Sequence, residues 1–142
     1  MNDWVAQRTE AARLHQEKLQ AGKNLEHEMA EAVIAEFMTV APEHGPAPVP
    51  LEVRGYGGKG VARTPLKGWY LRVDGTAAVG EDGKFYVLIA PLTTWERIRG
   101  IKPEPRRPTK ILGEGGKDGD SIALEDALER AFPGWRSFLK TQ

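Results

Sequence analysis

His27 and Glu31 stand four residues apart in a stretch without proline, a spacing that places an imidazole and a carboxylate on one helical face where a metal can be held. His15 and His44 are the other imidazoles, and the chain has no cysteine. A thiolate centre is therefore excluded, and three histidines leave little for an imidazole one. A lone His and Glu pair among charged residues is an ordinary solvated contact, so no metal and no cofactor is expected. The run Gly113-Glu114-Gly115-Gly116-Lys117-Asp118-Gly119 lies before an expected helix, where free amides and the helix dipole can hold a phosphate. It matches neither G-x-G-x-x-G nor G-x-x-x-x-G-K-[ST], and Glu114, Asp118 and Asp120 would repel an anion. Nor is it a calcium loop, because Ile122 and Leu124 fall where ligands are needed. It reads as a turn delivering a strand to a helix. Ser121 and Ser137 belong to no nucleophile elbow or triad pattern. With no catalytic motif, the chain is expected to bind rather than to transform.

Charge is sorted along the chain although it sums to zero. Between Leu51 and Lys110 there are twelve lysines and arginines against six acids, and both ends carry the opposite excess. A positive middle attracts anionic partners. Gly57-Gly58-Lys59-Gly60 has the G-x-x-G form with which KH domains clamp a nucleic-acid backbone, and Arg54, Tyr56 and Arg63 stand near it. However, that loop joins two helices, whereas here a strand precedes and Thr64-Pro65 follows, so the four letters assign no family. Further on, Arg97, Arg99, Lys102, Arg106, Arg107 and Lys110 alternate with Pro103, Pro105 and Pro108, which impose an extended exposed course. Such a strip follows phosphates or an acidic protein surface, or it keeps a sheet edge from aggregating. Lys59, Arg63, Arg99, Arg106 and Arg107 are the candidate phosphate contacts.

The elements that must carry these residues are those of an α+β fold. From Asp3 to about Val40 the composition is that of stable helix, with a stop at Gly22-Lys23 and a cap at Asn24 leaving open whether it is one helix or two. Leu25, Met29, Val33 and Phe37, with Ala30, Ile34 and Met38, form the stripe expected in the core. Earlier the stripe thins to Trp4, Val5, Ala11, Ala12, Leu14 and Leu19, so this half projects, and Trp4, Leu14 and Leu19 are the candidate partner-binding residues. Pro42 to Pro50 reads as a linker, and Val49 to Arg54 as a strand. Trp69–Val73, Thr76–Val79 and Phe85–Ala90 form an antiparallel meander through Asp74-Gly75 and Asp82-Gly83 turns. FYVLIA, lacking polar interruption, is expected at the sheet's centre, with Arg72 on an exposed face.

Thr93 to Glu96 has capping-box spacing, so a short helix should end at Gly100. Thr109 to Leu112 adds a strand. A helix capped by Asp120 or Ser121 runs to Phe132, and Trp135, Phe138 and Leu139 fold back to close the core. Trp69, Trp95 and Trp135 read as core or interface anchors. The expected plan is one domain: a helical arm over residues 1–40 whose second half packs on the body, and an α+β body over 41–142 with a sheet of four or five strands and a C-terminal helix. There is no apolar signal core at the N-terminus and no run of eighteen apolar residues, so a cytoplasmic location and no membrane partner are expected. The expected role is a non-enzymatic interaction or regulatory accessory protein that uses the helix to bind itself or another protein. The alternative is a nucleic-acid-binding accessory protein using the basic middle.

Overall fold

Helix-favouring residues run unbroken by proline from Asp3 to Ala41, and in the computed structural model, which describes residues 3–112 and 122–141, they form a single helix, α1 (Asp3–His44). Gly22 does not break it. The position is open, and one exposed helical glycine costs only about 1 kcal/mol relative to alanine, which the flanking good helix formers absorb. The helix also outlasts its expected end near Val40, passing through Pro42 before the Gly45 amide donates to the Ala41 carbonyl at 2.9 Å. A proline in the last turn forfeits one backbone bond, and burial of Val40 and Ala41 offsets it.

The sheet is an antiparallel meander in the order β1 (Val49–Arg54), β2 (Val61–Tyr70), β3 (Ala77–Gly80) and β4 (Phe85–Val87). The FYVLIA segment therefore begins as the last strand rather than a central one. Its apolar character on both faces has another cause: the sheet curls, and beyond β4 the chain returns to the far end of β1. There the Arg54 amide donates to the Leu88 carbonyl at 2.9 Å and the Ala90 amide to the Arg54 carbonyl at 3.0 Å. β2 is longer than its apolar end shows. Pro65 is accommodated where the β1–β2 register shifts between Pro50 and Glu52, a bulge that requires no amide from it. Gly68 pairs with Gly80, and a Cβ there would stand 2.1 Å from the Val79 carbonyl oxygen, so the strands approach too closely for any side chain.

Curling gives the sheet two buried faces. Leu51, Val53, Ala78, Tyr86 and Leu88 fill its concave side, while Trp69, Leu71, Ala77, Val79 and Phe85 pack outward against the helices. The α1 face that meets them is Ala30, Ile34, Phe37, Val40 and Ala41. Leu25 and Met29, expected in the same stripe, are instead exposed. Steps of four advance about 40° per step on a 3.6-residue helix, so a run from Leu25 to Phe37 winds out of the contact. Phe37 is fully buried, with ring contacts to Trp69, Phe132 and Trp135 at 6.0, 6.4 and 5.5 Å.

The short strands β5 (Ile111–Leu112) and β6 (Ile122–Ala123) pair antiparallel, and α3 (Leu124–Ala131) follows. Ile122 is thus in a strand rather than a helix, and the N-cap position is Ala123, which makes no side-chain cap. Asp120, Ser121 and the Gly113–Gly119 run lie outside the described residues. Trp135 opens a final 3-10 turn (Trp135–Thr141) and is fully buried, closing the core as expected. Arg72 departs from its expected exposed place. The strand has ended at Tyr70, and the guanidinium, 15% exposed, pairs with Asp74 at 3.2 Å and donates to the Leu112 carbonyl. Burial pushes the Asp74 carboxyl up, but hydrogen bonds from Thr76 and Arg72 together outweigh it and hold the group below the usual range.

Inside the curl, the Tyr86 hydroxyl donates to Asp82 Oδ2 at 2.5 Å. Burial, then this carboxylate, raises the phenol to about 12. Because the folded value lies above the unfolded value of about 10, the contribution is complete below pH ~10 and is lost as pH rises through the folded value. A near-ultraviolet alkaline titration should show a late phenol step that Tyr86→Phe removes, and the variant should lose less stability between those two values than the parent. An unchanged step in Tyr86→Phe would contradict this.

Candidate functional site

The capping box expected at Thr93 is present: Thr93 Oγ1 accepts from the Glu96 amide at 3.1 Å, and Glu96 Oε1 accepts from the Thr93 amide at 2.9 Å. It starts α2 (Thr94–Arg99), which ends where the Gly100 amide donates to the Glu96 carbonyl. The Ile101 amide then donates to the Arg63 carbonyl at 2.8 Å, fastening the chain after α2 to β2. This joint forms a hollow of about 690 Å³ with Arg63, Trp95, Arg99 and Lys102 around it and Thr64, Pro65, Gly100 and Ile101 completing it. Trp95, read from sequence as an anchor, is 62% exposed, and the Arg99 guanidinium carbon lies 5.5 Å from its ring centre. Arg97 is packed on Gly60, where φ is +88° and a Cβ would stand 2.3 Å from Arg97 Cδ. Arg97 stands two residues from both Trp95 and Arg99, about 160° round the helix from them, so this contact leaves the exposed Lys59 outside the hollow. Among the described residues, Lys59, Arg63, Arg99 and Lys102 form no ion pair.

The structure divides the candidate phosphate contacts. Arg63 and Arg99 meet at the α2 joint and Lys59 lies outside it, next to the Gly60 that meets Arg97, whereas Arg106 and Arg107 lie between the sheet and α1. The Arg106 amide donates to the Phe85 carbonyl at 2.8 Å, and Arg107 pairs with Glu31 at 2.8 Å. The hydrogen bond from Arg107 lowers the Glu31 carboxyl, and Glu31 in turn raises the guanidinium. His27 Nδ1 is 2.8 Å from the Pro108 carbonyl oxygen, and Glu26 accepts from the Lys110 amide at 3.3 Å. This proline-rich strip is therefore a strap holding the body to α1. No group of three or more acidic or histidine side chains among the described residues could hold a metal.

Every residue from Asp3 to Leu25 is exposed, so about half of α1 stands clear of the body. At 100° per residue, Trp4, Ala11, Leu14, Ala21, Leu25 and Met29 share one stripe, its centre roughly 120° round from the centre of the body-facing set and its Trp4 edge in line with Val40. Its large members are about half exposed, including Leu25 at 56%. Spacings of seven and three or four make this a coiled-coil seam, interrupted by Gln7 and Lys18. Of the candidate partner-binding residues, Trp4 and Leu14 lie on it and Leu19 is about 140° from Leu14. One flank carries Asp3, Glu10 and Glu17, the other Arg8 and His15. Arg13 bonds both Glu10 and Glu17, and Arg8 lies over the Trp4 ring at 5.5 Å. The seam is masked in the sequence because Leu25 and Met29 also step by four into the core stripe of Val33 and Phe37, and its signal is the period of seven from Trp4 through Ala11 to Leu25.

Fold and surfaces together define an α+β protein that offers a projecting helix and a separate cationic, aromatic hollow. No protein-family model matches this chain, nor does any curated protein or solved structure. No helix among the described residues is long and apolar enough to cross a membrane.

Proposed function

We propose that this chain is a non-catalytic interaction protein whose projecting helix pairs with a second copy of itself as a parallel two-stranded coil, displaying two bodies on one stem. The observation that carries the reading is the exposed seam from Trp4 to Met29, most of it on the half of α1 that stands clear of the body. A fully buried Leu, Met or aromatic side chain contributes about 1.5–3 kcal/mol, and self-pairing covers each of these side chains twice. A seam lying mostly on the projecting half leaves both bodies at one end of the pair.

Orientation follows from the flanks. In a parallel pair the acidic flank of one helix faces the basic flank of the other, bringing Asp3 toward the partner's Arg8 and Glu10 toward the partner's His15. An antiparallel pair would set acidic flank against acidic flank. Lys18 within the seam lowers stability while fixing register, the usual effect of one charged seam position. Light scattering at low and high salt tests the reading. A mass twice that of the 15.7 kDa chain, retained at high salt, is expected because the seam is apolar. A monomer under both conditions would overturn it.

A further inference from the structure

We propose that the hollow between β2 and α2 binds single-stranded nucleic acid, with Trp95 as the platform on which a base stacks and Arg63, Arg99 and Lys102 as contacts to the flanking phosphates. This site is separate from the helical seam and does not depend on how the helix associates.

Trp95 carries the first half of the argument. Its indole takes no part in either core, yet it is not on a loose loop. The capping box and the Gly100 bond fix the backbone on both sides of it, so a large flat ring is held outward on a rigid element. Cations carry the second half. Arg99 lies beside the ring, and Arg63 and Lys102 complete the rim without an ion pair among the described residues. The nearby acids leave the rim positive. Glu96 is turned to its own cap amide, and Glu52, opposite Arg63 in register, is outnumbered.

A stacked base between phosphate contacts needs this combination, because every base has a π face and every linkage a charge. An acidic protein would need the cations but not the ring. A duplex keeps its bases stacked on each other and likewise leaves the ring unused. An unpaired strand uses both.

The test is anisotropy of labelled oligo-dT and oligo-U with the intact chain over a salt series. Binding should weaken as salt rises, with quenching of tryptophan emission. Trp95→Ala should weaken binding about tenfold at constant salt without changing the melting temperature, since the side chain supports no core. Arg99→Glu with Lys102→Glu should abolish binding, while Arg106→Glu on the strap should have a much smaller effect. Absence of binding to both oligonucleotides would overturn the proposal. So would equal affinity for a duplex of the same length, equal affinity for polyglutamate, or an undiminished affinity in Trp95→Ala.

Discussion

Phe37→Ala should lower stability by about 3–5 kcal/mol, the cost of removing a fully packed aromatic ring and leaving its cavity. The ring is 0% exposed and meets Trp69 from the sheet together with Phe132 and Trp135 from the C-terminal segment, so one side chain joins all three layers. The neighbours cannot collapse into the gap easily. The sheet is held from its concave side, and the Trp69 indole is tied by its Nε1 hydrogen bond to the Pro46 carbonyl at 2.7 Å. For a chain of this size the expected fall in melting temperature is roughly 10–20 °C. Thermal unfolding followed by circular dichroism measures it, with Leu19→Ala on the exposed arm as a control expected within about 0.5 kcal/mol of the parent. A loss below about 1 kcal/mol for Phe37→Ala would mean that the helix is not seated as described.

Leu14→Glu combined with Leu25→Glu should abolish the proposed self-pairing and give a monomer without unfolding the body. Each leucine lies on the seam and is about half exposed in the single chain, so neither supports the core. In the pair each substitution is present twice, and a leucine lost from a seam costs roughly 2 kcal/mol or more. Added charge repulsion takes the total beyond about 4 kcal/mol, a loss of at least 10³-fold in association. Leu19→Ala separates this account from a general effect of apolar residues on the arm. It lies about 140° from Leu14 and should leave the mass unchanged. Loss of pairing in Leu19→Ala but not in the double variant would place the contact on another face.

Local signals with a strict chemical requirement were readable from the chain. Asp74-Gly75 and Asp82-Gly83 located the hairpins, Thr93 and Glu96 the short helix, and Gly100 its end. The bounds of β1 followed from alternation alone. What escaped depends on contacts distant in sequence. Pro65 and the polar residues around it concealed the first half of β2, because the bulge that accommodates proline is a property of the paired strand. FYVLIA resembled a central strand because curling, which no local pattern encodes, buries it twice.

The candidate site was dispersed for the same reason. A continuous basic count between Leu51 and Lys110 did not separate Arg107, paired with Glu31, from Arg63 and Arg99, which share the hollow. Trp95 reads from sequence as a core or interface anchor, with nothing local to separate the two. Only the position of α2 across the end of β2 shows its ring facing outward.

Covalent trapping of Ala11→Cys reports directly on whether two α1 helices pair. The parent has no cysteine, and in a parallel pair residue 11 of one helix meets residue 11 of the other across the seam. Under mild oxidation a disulfide-linked dimer is expected on a non-reducing gel, returning to monomer with reductant. A variant that remains uncrosslinked while light scattering of the parent reports a single chain would contradict it.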